Sequence, residues 1–273
     1  MSVWLWGAGL FVSCVLAAMG WMRAEASGYR PREEEVVSER VPLSFDGYRI
    51  LFISDIHRRK LSEESLRRTL PEIDCIVLGG DVTEKGVPIE RLRHNLNLLQ
   101  RIAPSYAVLG NHDLYAGQDA VLEAMKDAGV IALRDQTVIL HKGNDSVGLT
   151  GIKQPASKNR PYTNFQGQIS LDMYHILVVH DPIWLQGRKE TCCDLLLAGH
   201  THGGQIVLPL VGAFQLERFY HTYKSGWYSL RRLADMSRST CRMLISRGFG
   251  TSHIPLRLNC PAEYHVITLR QKP

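Results

Sequence analysis

The sequence predicts an α/β protein in which stacked sheets of short buried strands carry helices on the outside. Two patterns predict it. Five apolar runs recur: YRILFIS (48–54), DCIVLGG (74–80), SYAVLG (105–110), YHILVVH (174–180) and CDLLLAG (193–199). Each is short, continuous and rich in Val, Ile and Leu, as strands buried on both faces are. Helical periodicity lies between them. In PIERLRHNLNLLQRI (88–102), Ile89, Leu92, Leu96, Leu99 and Ile102 form one stripe, with Pro88 placed at a helix start. Residues 118–129 give a second helix. The later runs DSVGLTGI, QIVLPL, CRMLISRG and YHVITLR read as strands with fewer helices between them.

The composition fits this class. At 273 residues, 45% hydrophobic and 22% charged, the chain can bury a sizeable core as one large domain or two small ones. A net charge of +5 suits an anionic substrate or a membrane surface but is too small to indicate nucleic acid. The cysteines, Cys14, Cys75, Cys192, Cys193, Cys241 and Cys260, form no C-x-x-C pair and read mostly as small buried hydrophobes.

Residues 1–22, MSVWLWGAGLFVSCVLAAMGWM, carry no charged side chain and are long enough to cross a bilayer as a helix. Trp4, Trp6 and Trp21 stand near its ends, where aromatics favour the interface. A cleaved signal peptide competes, because Ala24-Glu25-Ala26 resembles a small-x-small cleavage site. An uncleaved anchor is favoured, since no Lys or Arg precedes the apolar run. Arg23, Arg30, Arg32 and Arg40 follow it, and the positive-inside rule then puts the main domain in the cytoplasm. Residues 23–47, with Glu33-Glu34-Glu35 in the middle, read as a polar linker.

The functional signal lies at the strand ends. After the first run come Asp55 and His57, after the second Asp81, and after the third Asn111, His112 and Asp113. The fourth run ends in His180, and the fifth leads into His200 and His202. Any one of these residues is ordinary in a turn or cap. Five consecutive strands delivering metal ligands at the C-terminal edge, where open α/β sheets bind ligands, is not. In LAGHTHGGQ, extended backbone would point His200 and His202 to the same side, and Gly199, Gly203 and Gly204 would let the chain turn tightly. Carboxylates, an amide oxygen and imidazoles suit Mn, Fe or Zn. Asp55, His57, Asp81, Asn111, His180, His200 and His202 exceed one four-ligand site. Two divalent ions sharing a carboxylate are the economical solution. Such a pair, about 3.5–4 Å apart, generates a bridging hydroxide and clamps an in-line displacement at phosphorus. His112, backed by Asp113, is placed as a general acid.

D-x-H, GD, GNHD, a later strand-end His and GHTH resemble, in order and spacing, the calcineurin-like metallophosphoesterases across roughly residues 48–270. The tail SRGFGTSHIPLRLNCPAEYHVITL, with GHTHGGQ, is similar to membrane-anchored or exported bacterial phosphoesterases related to the UDP-2,3-diacylglucosamine pyrophosphatases. The resemblance implies two facing mixed β-sheets flanked by helices over 48–273. It implies that Asp55, His57 and His202 hold one ion, that Asn111, His180 and His200 hold the other, and that Asp81 bridges them. It gives His112 the role of stabilising phosphoryl oxygens and protonating the leaving group, with Asp113 orienting it. A phosphorylated small molecule or lipid is the expected substrate. A metal-binding scaffold without turnover, or a phosphodiesterase acting on nucleotides or nucleic acid, is the alternative, and a scaffold would be free to lose positions that are all filled here. His57-Arg58-Arg59-Lys60 departs from relatives and reads as solvated charge. Residues 211–232 read either as an aromatic lip over lipid or as a packed insert. Arg247 and Arg257 read as phosphate clamps or surface ion pairs.

Overall fold

The structure, a computed structural model, describes residues 2–156, 160–162, 172–188, 190–213, 218–232 and 240–272, with backbone alone for 2–5. The chain opens with α1 (Ser2–Ser27), β1 (Pro31–Ser38), β2 (Arg49–Ile53), α2 (Glu63–Thr69), β3 (Cys75–Leu78), α3 (Ile89–Gln100) and β4 (Ser105–Ala107). Then come α4 (Asn111–Asp127), β5 (Ile131–Ala132), β6 (Gln136–Lys142), β7 (Asp145–Gly151), β8 (His175–Val178), β9 (Glu190–Thr191) and β10 (Leu195–Ala198). The last elements are β11 (Val207–Leu208), β12 (Gly212–Ala213), α5 (Arg218–Thr222), β13 (Gly226–Arg232), β14 (Thr240–Ile245) and β15 (Tyr264–Gln271).

Two mixed sheets result, ordered β1-β15-β2-β3-β4-β5 and β6-β7-β8-β10-β14-β13-β9. The expected α/β class with two sheets flanked by helices is what forms. The five continuous apolar runs alternate sides as a strand must. Ile50, Phe52 and Val77 of the first sheet meet Ile176, Val178, Leu195 and Leu197 of the second in one core. Leu51, Ile53, Ile76 and Leu78 point the other way, onto Leu92, Leu96 and Leu99 of α3 and Val121 and Met125 of α4. Leu177, Leu196, Met243 and Ile245 form a third cluster with Trp184, Cys192 and Cys193. Strands buried on both faces leave no room for polar side chains, so the polar residues collect at the strand ends. Five of the cysteines are buried and unbridged, and only Cys14, on α1, is exposed.

Three expectations need correction. The segment read as a linker contains β1, paired parallel to β15 from Pro31↔Tyr264 to Ser38↔Gln271. It is an edge strand of the first sheet whose side chains, apart from Val36, stay partly or fully exposed, so its charge resembled a linker. The first helix runs to Ser27, past residue 22, because polar side chains tolerate helix as readily as loop. The helix expected at 118 starts at Asn111, with a break at Gly117 (φ 113°). That break explains why its periodicity is legible only from 118 onward.

In 211–232, the aromatic residues pack inward. Tyr220 is buried, and Phe219, Tyr223 and Tyr228 lean on the third cluster. The packed-insert reading therefore holds for them. Phe214 and the side chain of Trp4 lie outside the described residues.

Candidate metal centre

Strands β2, β3 and β4 end on one rim, and β8 and β10 of the facing sheet end opposite them. Loop-to-loop backbone bonds tie the strand ends together. Asp55 N donates to Gly80 O (2.9 Å), His57 N to Asp81 O (3.0 Å) and Gly199 N to His180 O (2.9 Å). Asp55, His57, Asp81, His200 and His202 all adopt left-handed backbone, with φ between 49° and 72°. Residues with a Cβ seldom do this, and such strain clusters at sites held by their surroundings. His200 and His202 therefore converge through two left-handed turns about a right-handed Thr201, not through the extended i, i+2 geometry expected. Gly199 permits the close approach, since a Cβ there would stand 2.5 Å from Asp55 Oδ2.

The predicted ligands fall into two groups, and a third cluster of His57, Glu84 and His112 adjoins them. Asp55, His57 and His202 present ligand atoms within 4.8 Å of one another, and so do Asp81, His180 and His200. In the first group, His57 Nε2 lies 3.0 Å from His202 Nε2, and His202 Nε2 lies 3.5 Å from Asp55 Oδ1. In the second, His180 Nε2 lies 3.3 Å from His200 Nδ1 and 3.3 Å from Asn111 Oδ1. Asp81 stands between the groups, with Oδ2 3.3 Å from His180 Nε2 and 3.7 Å from His57 Nε2. All seven predicted ligands thus meet in one place.

The surroundings fit divalent ions. His180 Nδ1 lies 2.8 Å from Gly79 O, which sets the tautomer that turns a free Nε2 lone pair inward. His57 Nδ1 lies 3.0 Å from Glu84 Oε2, an ion-pair distance. Buried imidazole nitrogens facing each other with carboxylates between them are costly without a shared cation. The mixed N and O set suits Mn, Fe or Zn. In the metal-free chain, burial pushes the Asp81 carboxyl up, but His180 and His57 outweigh it and hold it below its ordinary value. His180 rises to about 10, burial opposing and Asp81 prevailing.

His112 occupies the first turn of α4, half-buried, its ring 4.8 Å from that of His57. Its backbone N–H donates to Asp81 Oδ1 (2.8 Å). Burial outweighs the Asp81 charge and lowers its pKa. Asp113 does not orient that ring. Its carboxylate accepts from Thr83 N (3.0 Å) and Gly110 N (2.8 Å), and so ties the β3 loop to the start of α4. Its side chain is fully buried and spent on those two backbone donors, whereas the preceding His112 is half-buried.

Glu84, Asp181 and Tyr220 escape a reading of the sequence, and Arg257 takes a role other than the two expected. Glu84 backs His57 and is held down to about 2 by hydrogen bonds from His57 and Arg58. Asp181 Oδ2 lies 3.4 Å from His200 Nε2, and Tyr220 OH donates to both Asp181 oxygens at 3.0 Å. Arg257 is fully buried and clamps no phosphate. Its guanidinium donates to the carbonyls of Arg247, Gly248, Gly250 and Cys260 and reaches His202 Nδ1 at 3.3 Å. Arg247 lies 3.8 Å from Glu263. Of the basic run, Arg58 is mostly exposed and pairs with Glu84, whereas Arg59 is stacked between Tyr29 and Phe249. Only the adjacency of Asp181 to His180, and of Glu84 to the Asp81 turn, is visible in the sequence. The partners are not.

Residues 48–204 match the calcineurin-like phosphoesterase family. The uncharacterized protein YpbG of Bacillus subtilis is 32% identical over 81% of this chain and 80% of its own length. The phosphodiesterase YaeI of Escherichia coli is 28% identical, covering 81% and 82% respectively. A 5'-nucleotidase precursor from Thermus thermophilus shares the fold with a TM-score of 0.51 at 12% identity, over 81% of this chain and 54% of that one. A family match over more than half the sequence, a relative above 30% identity along most of its length and paired donor groups at facing strand ends agree: this chain belongs to the calcineurin-like phosphoesterases and is a hydrolase of that family.

Proposed function

We propose that the chain hydrolyses phosphate ester or pyrophosphate bonds of a lipid-linked or sugar-nucleotide substrate at a membrane. Asp55, His57 and His202 hold one divalent ion, Asn111, His180 and His200 the other, and Asp81 bridges. Bound there, the two ions supply an activated water and the positive charge that an in-line displacement at phosphorus needs. His112, at the open side of the cluster, holds a phosphoryl oxygen and passes a proton to the leaving oxygen. The observation that carries the reading is that Asp81, grouped with His180 and His200, also reaches His57 of the other three-residue group at 3.7 Å.

Beside Asn111 and His200 opens a cavity of about 650 Å³ including its solvent mouth, walled by Leu114, Tyr115, Ile183 and Tyr220. Its apolar and aromatic walls favour an organic group on phosphorus over free phosphate. The apolar α1, long enough to cross a bilayer, supports a retained anchor, and Arg23, Arg30, Arg32 and Arg40 after it favour a cytoplasmic catalytic domain. The test is a panel of UDP-sugars, phospholipids, model diesters and monoesters, incubated with purified full chain and Mn. Turnover of a pyrophosphate-linked or lipid-linked compound at least about tenfold above the simple esters is expected. A preference for simple monoesters overturns the substrate reading.

A further inference from the structure

The last turns of α1 are built into the loops that carry the site. Arg59, two residues beyond His57, donates to the carbonyls of Gly28 (2.9 Å), Ala26 (3.4 Å) and Ser27. These are helix-end carbonyls, which have no partner inside a helix and whose partial negative charge favours a cation. The same guanidinium donates to Phe249 O (2.6 Å) and lies 3.5 Å from the Phe249 ring centre and 4.5 Å from that of Tyr29.

A second strip of contacts runs alongside. Arg257 N donates to Met22 O (3.1 Å) and Ala262 N to Glu25 O (2.9 Å). Cys260 N donates to Glu25 Oε2 (3.3 Å), and Glu25 is buried. The loop that supplies these groups also borders the site. Gly250 N bonds Asp55 O, the His253 ring lies 6.5 Å from that of His112, and Arg257 reaches His202. Ile254, next to His253, is exposed.

The opposite end of α1 is bare. Trp6, Leu10, Phe11, Leu16 and Trp21 are exposed, a stretch that lipid would cover. Of the helix's 26 residues, about 20 suffice to cross the hydrocarbon. That leaves the last turn and a half, which is the docked part, at the headgroup layer. From Trp21 to Gly28 the rise is roughly 10 Å, at about 1.5 Å per residue.

We infer that α1 and the catalytic domain form one rigid body that fixes the mouth of the site at the headgroup layer of the membrane α1 enters. The phosphorus it reaches is then carried by a lipid of that same membrane. The inference rests on the proposed phosphoesterase reading for its chemistry, but its geometry is separate. It also means that Ala24-Glu25-Ala26 is folded into the domain and is no peptidase site.

The test places a donor fluorophore at Lys85→Cys, beside His112 and His253, in a Cys14→Ser background that removes the exposed native thiol. The full chain is reconstituted in phosphatidylcholine vesicles carrying a rhodamine-labelled phosphatidylethanolamine acceptor. Energy transfer to the headgroups should be strong. It should fall at least about twofold in Arg59→Ala and when ten Gly/Ser residues are inserted between Gly20 and Trp21, which separates the membrane-crossing part of α1 from its docked turns and leaves every native side chain in place. Unchanged transfer in both variants, weak transfer in the parent chain, or a mature N-terminus at Ser27 by mass spectrometry would overturn the inference.

A nitrophenyl phosphodiester attached to a lipid headgroup adds the chemical arm. It should be hydrolysed at least about tenfold faster in the enzyme's own vesicles than in separate ones, and equal rates count against the inference. The same diester free in water reports the chemistry alone. Strong transfer with no hydrolysis of any ester would leave the placement standing and sink the phosphoesterase reading.

Discussion

The two sheets contribute unequally to the site. The strand ends of the first, after β2, β3 and β4, bring every oxygen donor, Asp55, Asp81 and Asn111, together with His57 and His112. The second, after β8 and β10, brings imidazoles alone: His180, His200 and His202. The first sheet by itself gathers only His57, Glu84 and His112, whereas the two groups beside Asp81 each need both sheets: Asp55 and His57 need His202, and His180 and His200 need Asp81. Each sheet also backs one imidazole with a carboxylate, Glu84 behind His57 and Asp181 behind His200. The first sheet thus brings most of the negative charge, and the two groups beside Asp81 come together only where the layers face.

This division of labour is challenged most severely at Asp81. Asp81→Ala should strip both groups of their shared charge and lower kcat by at least about 10³-fold, since metal charge stabilisation is worth several kcal/mol. The melting temperature should stay close to that of the parent, because the strand cores do not include this side chain. Metal content per chain and calorimetry check it together, and near-normal turnover would remove Asp81 from the bridge.

His112→Asn tests a first-sheet residue that holds no ion. Both ions should remain, and kcat should fall by about 10²–10⁴ for an alkoxide leaving group but far less for nitrophenolate. Equal losses for the two would take His112 out of the acid role.

Cross-sheet pairing is probed by His200→Ala and His202→Ala. The first should weaken the ion held with Asn111 and His180, the second the ion held with Asp55 and His57. Each should leave one ion bound per chain, measured by equilibrium dialysis with Mn. Two tightly bound ions in either variant would refute the grouping.

The backing carboxylates give a smaller effect. Glu84→Gln and Asp181→Asn should each cost about 10- to 100-fold in metal affinity. Glu84 should matter more, because its contact is 3.0 Å against 3.4 Å for Asp181. The reverse order would show that Tyr220 makes the second-sheet support the firmer one.

The weakest change lies away from the ligands. Burial pushes the Glu263 carboxyl up, but hydrogen bonding and charge from His265 and the Arg247 charge prevail and hold it down to about 2. Its contribution to stability is therefore complete above about 4.5 and is lost as pH falls towards about 2. Glu263→Gln should flatten that part of the acid limb in chemical denaturation at stepped pH, with Mn affinity at neutral pH unchanged. An unaltered limb would show that the acid sensitivity arises elsewhere.

Much of the site is legible in the sequence. The seven ligands and His112 stand at the ends of apolar runs whose length and continuity mark buried strands, and polar residues have nowhere else to go in such strands. The role of Asp113 is not legible there. A carboxylate next to a histidine looks like its partner, yet this one is fully buried and spent on two backbone donors. The edge strand β1 is hidden for a related reason: its pairing lies in the backbone, and its charged side chains give no strand signal.

Fold class, the gathering of candidate ligands at the strand ends and the presence of a bilayer-length apolar helix follow from the sequence alone, because periodicity and residue type are local properties. Which donor faces which, that Glu84 and Asp181 stand behind the imidazoles, that Arg257 is an internal clamp, and that Arg59 grips the end of α1 are settled by tertiary packing. Those contacts join residues far apart in the chain, from Arg59 at Ser27 to Arg257 at His202. The physical reason is that a side chain's partner is fixed by how the layers close over one another, and a single sequence carries no record of that closure.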